Sequence, residues 1–408
     1  MSNEHCVIVG GSHAAASLAA ALRSEGWEGA ISIIGDEPHL PYHRPPLSKA
    51  YFCGEKSDAE ILIRPETFYQ QNNIDLVLGS RVEDIDTEAK TVTLHDGATI
   101  SYTKLALTTG AKVRKIPIPG SDLKGVYYLR DLGDVDQIKK YVVTGKRAVI
   151  VGGGYIGLET AASLRKLGME VTVLEALPRV LQRVTAPEVS AFYTRVHREE
   201  GVDLRTEVAI EGIVGDGKVG AVKLADGTEI DCNLVVIGVG VIPETELAEK
   251  AGLKIDNGIV VNEHAVTSNP DIVAAGDCTQ HYNPIYQTHL RLESVQNATD
   301  QAKIAAKSLC GKPLVYNALP WFWSDQYDLK LQIAGLSQGF DQVVVRGDTE
   351  SGRSFAAFYY KAGRLIAVDA VNRPKEFMMT KRALTEGKNA DPALVRDESV
   401  DVKDIFTA

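Results

Sequence analysis

The chain has five cysteines, and no two of them are close. Cys6, Cys53, Cys232, Cys278 and Cys310 are scattered, without a C-x-x-C pair or a metal-ligand spacing. This excludes a structural zinc or an iron–sulfur site built from the chain's own thiolates, so no metal is expected. It also excludes chemistry through a close redox-active dithiol. Cys53 alone is a candidate reactive thiol, but no neighbouring motif supports its activation, and a structural role is the reading favoured. No apolar run approaches the roughly 20 residues that cross a bilayer, so no membrane association is expected. Basic charge is scarce too: 44 Lys and Arg face 54 Asp and Glu, and the net charge of -10 argues against a nucleic-acid binder. The first apolar strand is expected by about Cys6, which leaves no room for a signal peptide. Together with the unpaired cysteines, this predicts a cytoplasmic protein.

What the chain does have is one phrase written twice. Val7-Ile8-Val9-Gly10-Gly11 and Val149-Ile150-Val151-Gly152-Gly153-Gly154 are apolar runs that break into glycine turns. Each is followed by an Ala/Leu-rich helical stretch and a second apolar strand ending in a carboxylate, Asp36 in the first copy and Glu175 in the second. This is the layout of a dinucleotide-binding βαβ unit. The second motif is complete, Gly152-x-Gly154-x-x-Gly157, with Tyr155 and Ile156 opening the helix that would face the phosphates. Gly152 allows the tight turn, Gly154 lets the backbone approach a pyrophosphate, and Gly157 permits close helix–strand packing. Glu175, 23 residues after Gly152, stands where an acid binds the ribose 2′-hydroxyl and repels a 2′-phosphate, so NADH is expected over NADPH. The first motif is degenerate, Gly10-x-Ser12-x-x-Ala15, and taken alone is as consistent with an ordinary strand–helix turn. Asp36, 26 residues after Gly10, and a strand-end carboxylate in Gly276-Asp277 favour the dinucleotide reading. Asp277 would contact a ribityl or phosphate group; the alternative is a surface Asp. Two dinucleotides in one chain point to hydride transfer from a nicotinamide to a flavin.

The remaining pattern organises the chain around these units. Each half has a strand pair about an Asp-Gly turn, at Thr91–Leu94 with Thr99–Ser101 and at 220–224 with 228–230. Each half then closes on a buried strand with glycine, at 104–111 and 234–240, a parallel suggesting duplication. After Pro243 the chain is expected to return to the first domain, with a strand at 272–277 and helical spacing over 293–309. Beyond Pro320, strands at 330–334, 342–345, 354–360 and 364–368 and a helix near 375–386 make a small third domain. The fold class expected is α/β: two Rossmann-like dinucleotide-binding domains, glutathione reductase-like, plus a small α+β C-terminal domain. The boundaries are 1–111 with 244–320 for an FAD-binding domain, 112–243 for an NADH-binding domain, and 321–408 for the C-terminal domain.

The segment Asp36-Glu37-Pro38-His39-Leu40-Pro41-Tyr42-His43-Arg44-Pro45-Pro46-Leu47-Ser48-Lys49 resembles the signature of FAD-dependent NADH:ferredoxin reductases of bacterial cytochrome P450 and Rieske-type oxygenase systems. The resemblance continues through Thr109-Gly110-Ala111, the second glycine motif, Ala275-Gly276-Asp277-Cys278, the stretch from Arg291 to Ala298, and Pro320-Trp321-Phe322-Trp323-Ser324-Asp325-Gln326, and so covers essentially the whole chain. Ser12 departs from the pattern at one glycine of one loop. The resemblance implies that Arg44 sits near the FAD pyrophosphate and that Pro45 and Pro46 wall the isoalloxazine. It implies Lys49 at flavin N5, paired with Glu159 near the nicotinamide, where a cation would favour the reduced flavin and the carboxylate would trim that effect. Helix-surface charges are the alternative for both. Trp323 would pack on the nicotinamide side of the isoalloxazine; otherwise it is a core tryptophan. Val295 and Gln296 would put a helix N-terminus against the flavin pyrimidine edge. Val82, Thr109, Gly110 and Arg130 complete the implied FAD set. Arg183, after the Glu175 loop, is the weakest NADH candidate, equally at home on a solvated face.

The activity implied is hydride transfer from NADH to FAD and single-electron delivery to a separate [2Fe–2S] ferredoxin that serves an oxygenase. Two rivals stand beside it. An NADH oxidase or peroxidase on this fold often carries a redox cysteine after the first βαβ unit, and 40–46 contains none. A redox-signalling flavoprotein similar to apoptosis-inducing factor is disfavoured by the absence of a targeting segment and long tails.

Overall fold

Val7, Ile8 and Val9 have no polar alternation, and an unbroken β-branched run is what a strand covered on both faces requires. In the computed structural model, which describes residues 4–407, they form the strand His5–Val9 at the centre of a parallel five-stranded sheet. The sheet order is Ile272–Ala274, Lys104–Leu107, His5–Val9, Ala30–Gly35, Ile74–Leu78. The helix His13–Ser24 packs its alanines and leucines, together with the helix Val295–Leu309, into one core with Ile8, Ile31 and Val273. An antiparallel three-stranded sheet, Val82–Asp86, Thr91–Leu94 and Thr99–Ser101, holds the turn read as a hairpin. These elements belong to one compact unit, made of residues up to His43, Asp58–Lys112 and Val241–Pro320.

The second unit comprises Arg44–Ser57, Val113–Gly240 and the chain from Trp321 onward. Its parallel sheet repeats the plan of the first, in the order Val202–Arg205, Glu170–Leu174, Arg147–Val151, Leu234–Ile237, Val126–Tyr128. Val149 lies opposite Thr172 on one side and Val235 on the other, as Val7 lies opposite Ser32 and Leu105. The parallel read from the sequence therefore extends to the order of four strands and to local register, whereas the fifth strand follows the closing strand in the first sheet and precedes the glycine strand in the second. The same unit contains an antiparallel sheet ordered Trp321–Gln326, Leu329–Gly335, Arg364–Val371, Ser354–Lys361, Gln342–Asp348, with the helix Pro374–Thr385 against it. Its first strand, Trp321–Gln326, is not among the strands the sequence pattern predicts. Its aromatic residues and the turn at Tyr327, where φ is 54°, pair it as a hairpin with Leu329–Gly335.

A buried histidine joins this hairpin to the helix Pro187–Glu199. His197 Nε2 lies 2.8 Å from Gln326 Oε1, and its Nδ1 lies 3.0 Å from the Tyr327 hydroxyl. Gln326 Nε2 donates to Ser324 Oγ at 3.2 Å, so Gln326 Oε1 is left to accept from His197 Nε2 and Tyr327 donates to Nδ1. That network needs the neutral ring. Burial pulls the His197 pKa down to about 4. A folded pKa below the unfolded value of about 6.5 contributes stability that is present above that value and is lost as pH falls towards 4. The expected loss across this window is on the order of 3 kcal/mol. Thermal melts between pH 7 and pH 4 should show a smaller acid-induced drop for His197→Gln than for the parent chain; equal drops would contradict the assignment.

Candidate active site

Taking the second unit first, the three glycines of the complete motif are not equivalent. A Cβ on Gly152 would stand 2.4 Å from the Gly238 carbonyl oxygen, and one on Gly157 would stand 2.1 Å from the Gly152 carbonyl oxygen. Chain packing alone demands glycine at both. Gly154 has ordinary backbone angles, φ -80° and ψ 178°, and a Cβ there would meet nothing within 4 Å. Packing does not require glycine at 154, but an open space beside a helix N-terminus is what a pyrophosphate needs. No acidic residue stands in the first turn of the helix Tyr155–Lys166 to compete with an anion. The residues fit a dinucleotide.

Glu175 follows the strand Glu170–Leu174 directly and is half-buried. Its Oε2 accepts from the Gly153 backbone N–H at 2.7 Å and its Oε1 from the Leu177 N–H at 2.8 Å. The carboxylate is thus fixed against the glycine loop. Arg183 and Ile156 are exposed, and Arg183 shows no contact that ties it to the loop. A Glu175→Ala substitution should relax discrimination against NADPH by about tenfold, the worth of one hydrogen bond to a charged acceptor. The measurement is the ratio of kcat/KM for NADH and NADPH, and an unchanged ratio would remove Glu175 from the ribose role.

Glu159 lies one turn into the same helix, and its side chain is 1% exposed. Lys49 Nζ is 2.6 Å from Glu159 Oε2, with the lysine side chain 18% exposed. Ser48 donates to the same oxygen at 2.5 Å, and Ser324 donates to Oε1 at 2.6 Å. Ser163 Oγ, one turn further along the helix, donates to the Ser48 carbonyl at 2.6 Å and holds that segment in place. A buried carboxylate is tolerated when it is paired and hydrogen-bonded, and both Glu159 oxygens are. Ser48 and Ser324 lie within the Asp36–Lys49 and Pro320–Gln326 segments, where nothing in the local pattern marks a hydroxyl for this role. Lys49 follows the short 3-10 turn Pro45–Ser48, whose two prolines pre-set the backbone. Arg44 is half-buried and donates to the Arg130 carbonyl at 2.8 Å. Trp323 is half-buried and stacks on Trp321 with centroids 5.5 Å apart. The structure brings Lys49 and Glu159 together; no hydrogen bond or ion pair joins Trp323 to either.

The first unit has the degenerate loop. Gly10 has φ +112°, and a Cβ there would lie 2.3 Å from the Thr108 carbonyl oxygen, so this glycine too is demanded by the chain. Ser12 is the N-cap of the helix His13–Ser24, and Ala15 is buried. Asp36 is exposed just past the strand Ala30–Gly35. Gly276 N–H and the Thr279 hydroxyl both donate to Gln301 Oε1, at 2.9 and 2.8 Å, which fixes the turn carrying the half-buried Asp277. Val295 and Gln296 open the helix Val295–Leu309, capped by Ser294, whose hydroxyl accepts from the Asn297 N–H at 3.1 Å. Neither this helix nor His13–Ser24 has an acid in its first turn. Thr109 donates to the Glu244 carbonyl at 2.7 Å, Gly110 has φ +69°, and Val82 is buried in the antiparallel sheet. Two anion-compatible helix N-termini and a strand-end carboxylate suit a second dinucleotide.

Two dinucleotide folds in tandem with a C-terminal antiparallel domain define a glutathione reductase-like oxidoreductase fold. The chain belongs to the pyridine nucleotide–disulphide oxidoreductase family, whose model matches residues 4–302, and a reductase C-terminal model matches residues 321–406. Despite the family's name, all five cysteines are free in the structure. Putidaredoxin reductase of Pseudomonas putida is 44% identical, over 100% of this chain and 98% of that protein. The ferredoxin reductase subunit of the 5,5′-dehydrodivanillate O-demethylase of a Sphingobium strain is 43% identical, over 100% of both chains. The crystal structure of a covalent putidaredoxin reductase–putidaredoxin complex includes a chain with a TM-score of 0.96 and 44% identity, covering 99% of this chain and 98% of that one. The expected fold class holds.

Proposed function

We infer that this chain is an NADH-dependent ferredoxin reductase containing FAD, which delivers electrons to a [2Fe–2S] ferredoxin serving a cytochrome P450 or similar oxygenase. Bound FAD supplies the switch between a two-electron donor and a one-electron acceptor. The observation that carries the reading is the open Gly154 loop with Glu175 fixed beside it, in a chain whose full length matches ferredoxin reductases.

The chain's own residues have distinct tasks. Gly152, Gly154 and Gly157 admit and orient the NADH pyrophosphate, and Tyr155 and Ile156 begin the helix that faces it. Glu175 takes the adenosine ribose. Gly10, Ser12, Ala15, Asp36, Thr109, Gly110, Asp277, Val295 and Gln296 serve the FAD. Lys49, held by Glu159, puts a cation where negative charge develops on reduction, and Trp323 bounds the reacting rings. No protein nucleophile is needed, because stacking supplies proximity. The proposed domains are 1–111 with 244–320 for FAD, 112–243 for NADH, and 321–408 at the C-terminus. Residues 44–57 cluster with the second unit, where Lys49 pairs with Glu159 of the helix Tyr155–Lys166. The proposed compartment is the cytoplasm, supported by five free cysteines. Among the described residues no helix is long and apolar enough to cross a membrane.

Steady-state turnover in air tests the acceptor. NADH consumption should depend on added [2Fe–2S] ferredoxin and yield little hydrogen peroxide. Rapid ferredoxin-independent consumption with stoichiometric peroxide or water would identify an oxidase instead.

A further inference from the structure

The strand Trp321–Gln326 has two faces, and alternation puts Phe322, Ser324 and Gln326 on the same one. Phe322 packs 5.0 Å from the ring of Tyr155, at the start of the helix Tyr155–Lys166. Ser324 and Gln326 are buried, so both must find partners inside the protein. Ser324 Oγ lies 2.6 Å from Glu159 Oε1 and 3.2 Å from Gln326 Nε2. Gln326 Oε1 lies 2.8 Å from Nε2 of the buried His197, whose Nδ1 is 3.0 Å from the Tyr327 hydroxyl. One chain of side-chain hydrogen bonds thus runs from Tyr327 to Glu159, all of it within the second unit.

The directions of these bonds are not independent. A carboxylate only accepts, so the single hydroxyl hydrogen of Ser324 is spent on Glu159. Ser324 Oγ must then accept, which turns the Gln326 amide nitrogen towards it and the amide oxygen towards His197. That oxygen needs Nε2–H, which leaves Nδ1 to accept from Tyr327. Every donor in the chain therefore points towards Glu159, and bonds aligned in this way strengthen one another. Gln326 does not titrate, so the chain orients the carboxylate rather than conducting protons to it. The other carboxylate oxygen, Oε2, meets Ser48 and Lys49.

We propose that Ser324, Gln326 and His197 are positioning residues for the Lys49–Glu159 pair: their aligned donors hold the carboxylate, offset part of its charge, and so help set the flavin potential and the rate of hydride transfer. The inference rests on the reading that places Lys49 at the flavin. Ser48 and Lys49 both act on Oε2, and Ser324 holds Oε1. Without the Ser324 donor the carboxylate is free to pivot about its Oε2 contacts, and the ammonium that it holds moves with it. Less of the carboxylate's charge is then offset, which disfavours the negative charge gained on reduction.

The test uses the FAD-loaded protein. Redox titration should place Ser324→Ala roughly 15–30 mV below the parent chain, about a three- to tenfold change in a two-electron equilibrium. Gln326→Met should shift the potential in the same direction by less. Flavin reduction at saturating NADH should slow about three- to tenfold in Ser324→Ala, with the half-saturating NADH concentration unchanged. In a Glu159→Gln background, Ser324→Ala should move neither reading, which separates an action through the carboxylate from a change in packing. Nitrogen NMR of labelled histidines, with His197→Gln locating the signal, should show His197 as the Nε2–H tautomer. Three results would each overturn this inference and leave the flavin reading standing: an Nδ1–H tautomer at His197, a potential unmoved in Ser324→Ala but shifted in Lys49→Met, or a Ser324→Ala shift that persists in the Glu159→Gln background. No shift in either Ser324→Ala or Lys49→Met would overturn both.

Discussion

A Gly154→Val variant should fold, retain FAD and lose NADH-driven flavin reduction by about a hundredfold or more, the scale set by losing productive alignment of the reactants. The backbone at 154 is extended, and the added side chain meets no protein atom within 4 Å, so stability should change by no more than about 0.5 kcal/mol. The valine would instead fill the space through which the backbone approaches a pyrophosphate. Gly157→Ala is the opposite case. Its Cβ would stand 2.1 Å from the Gly152 carbonyl oxygen, so the fold must shift before any ligand is involved. Melting temperature, flavin content and the rate of flavin bleaching separate the two. Normal bleaching by NADH in Gly154→Val would remove the loop from the nucleotide site.

Lys49→Met should cost about 2 kcal/mol of stability and slow flavin reduction by at least about tenfold. Glu159 is almost fully buried, and in this variant it keeps its two serine donors but loses the cation paired with it. Removing one partner of a buried ion pair costs about 3–5 kcal/mol, and the partial exposure of Lys49 reduces that figure. Glu159→Gln in the Lys49→Met background should restore most of the stability, because a neutral amide accepts from one serine hydroxyl through its oxygen and donates to the other serine's oxygen through its nitrogen, with no charge left buried. It should not restore the rate, which needs the cation where charge develops. The flavin potential of Lys49→Met should become more negative. Equal stability of Lys49→Met and the parent chain, with an unchanged potential, would show that the pair is a surface contact without consequence.

The parts of the molecule legible in the sequence are those encoded by short-range pattern. Val149-Ile150-Val151 followed by Gly152-x-Gly154-x-x-Gly157 defines a buried strand, a tight turn and a helix start within nine residues, and the hairpin about Asp226-Gly227 is equally local. The offset of Glu175 from Gly152 marks a strand-end acid, and the structure puts its carboxylate on the Gly153 N–H. The serines around Glu159 were not legible. Ser48 and Ser324 are 111 and 165 residues away from it, and which hydroxyl faces a buried carboxylate depends on how separate segments pack. The strand Trp321–Gln326 was obscured by its own motif, since stacked tryptophans satisfy a ring-packing reading as readily as a β reading.

The most direct test of the account is anaerobic stopped-flow mixing. The yellow protein is first reduced with NADH and then mixed with an oxidised [2Fe–2S] ferredoxin from a P450 system. The account predicts fast loss of flavin absorbance followed by fast reduction of the ferredoxin cluster. Fast flavin reduction with no transfer to any ferredoxin tried, alongside rapid reoxidation by oxygen or peroxide, would contradict it.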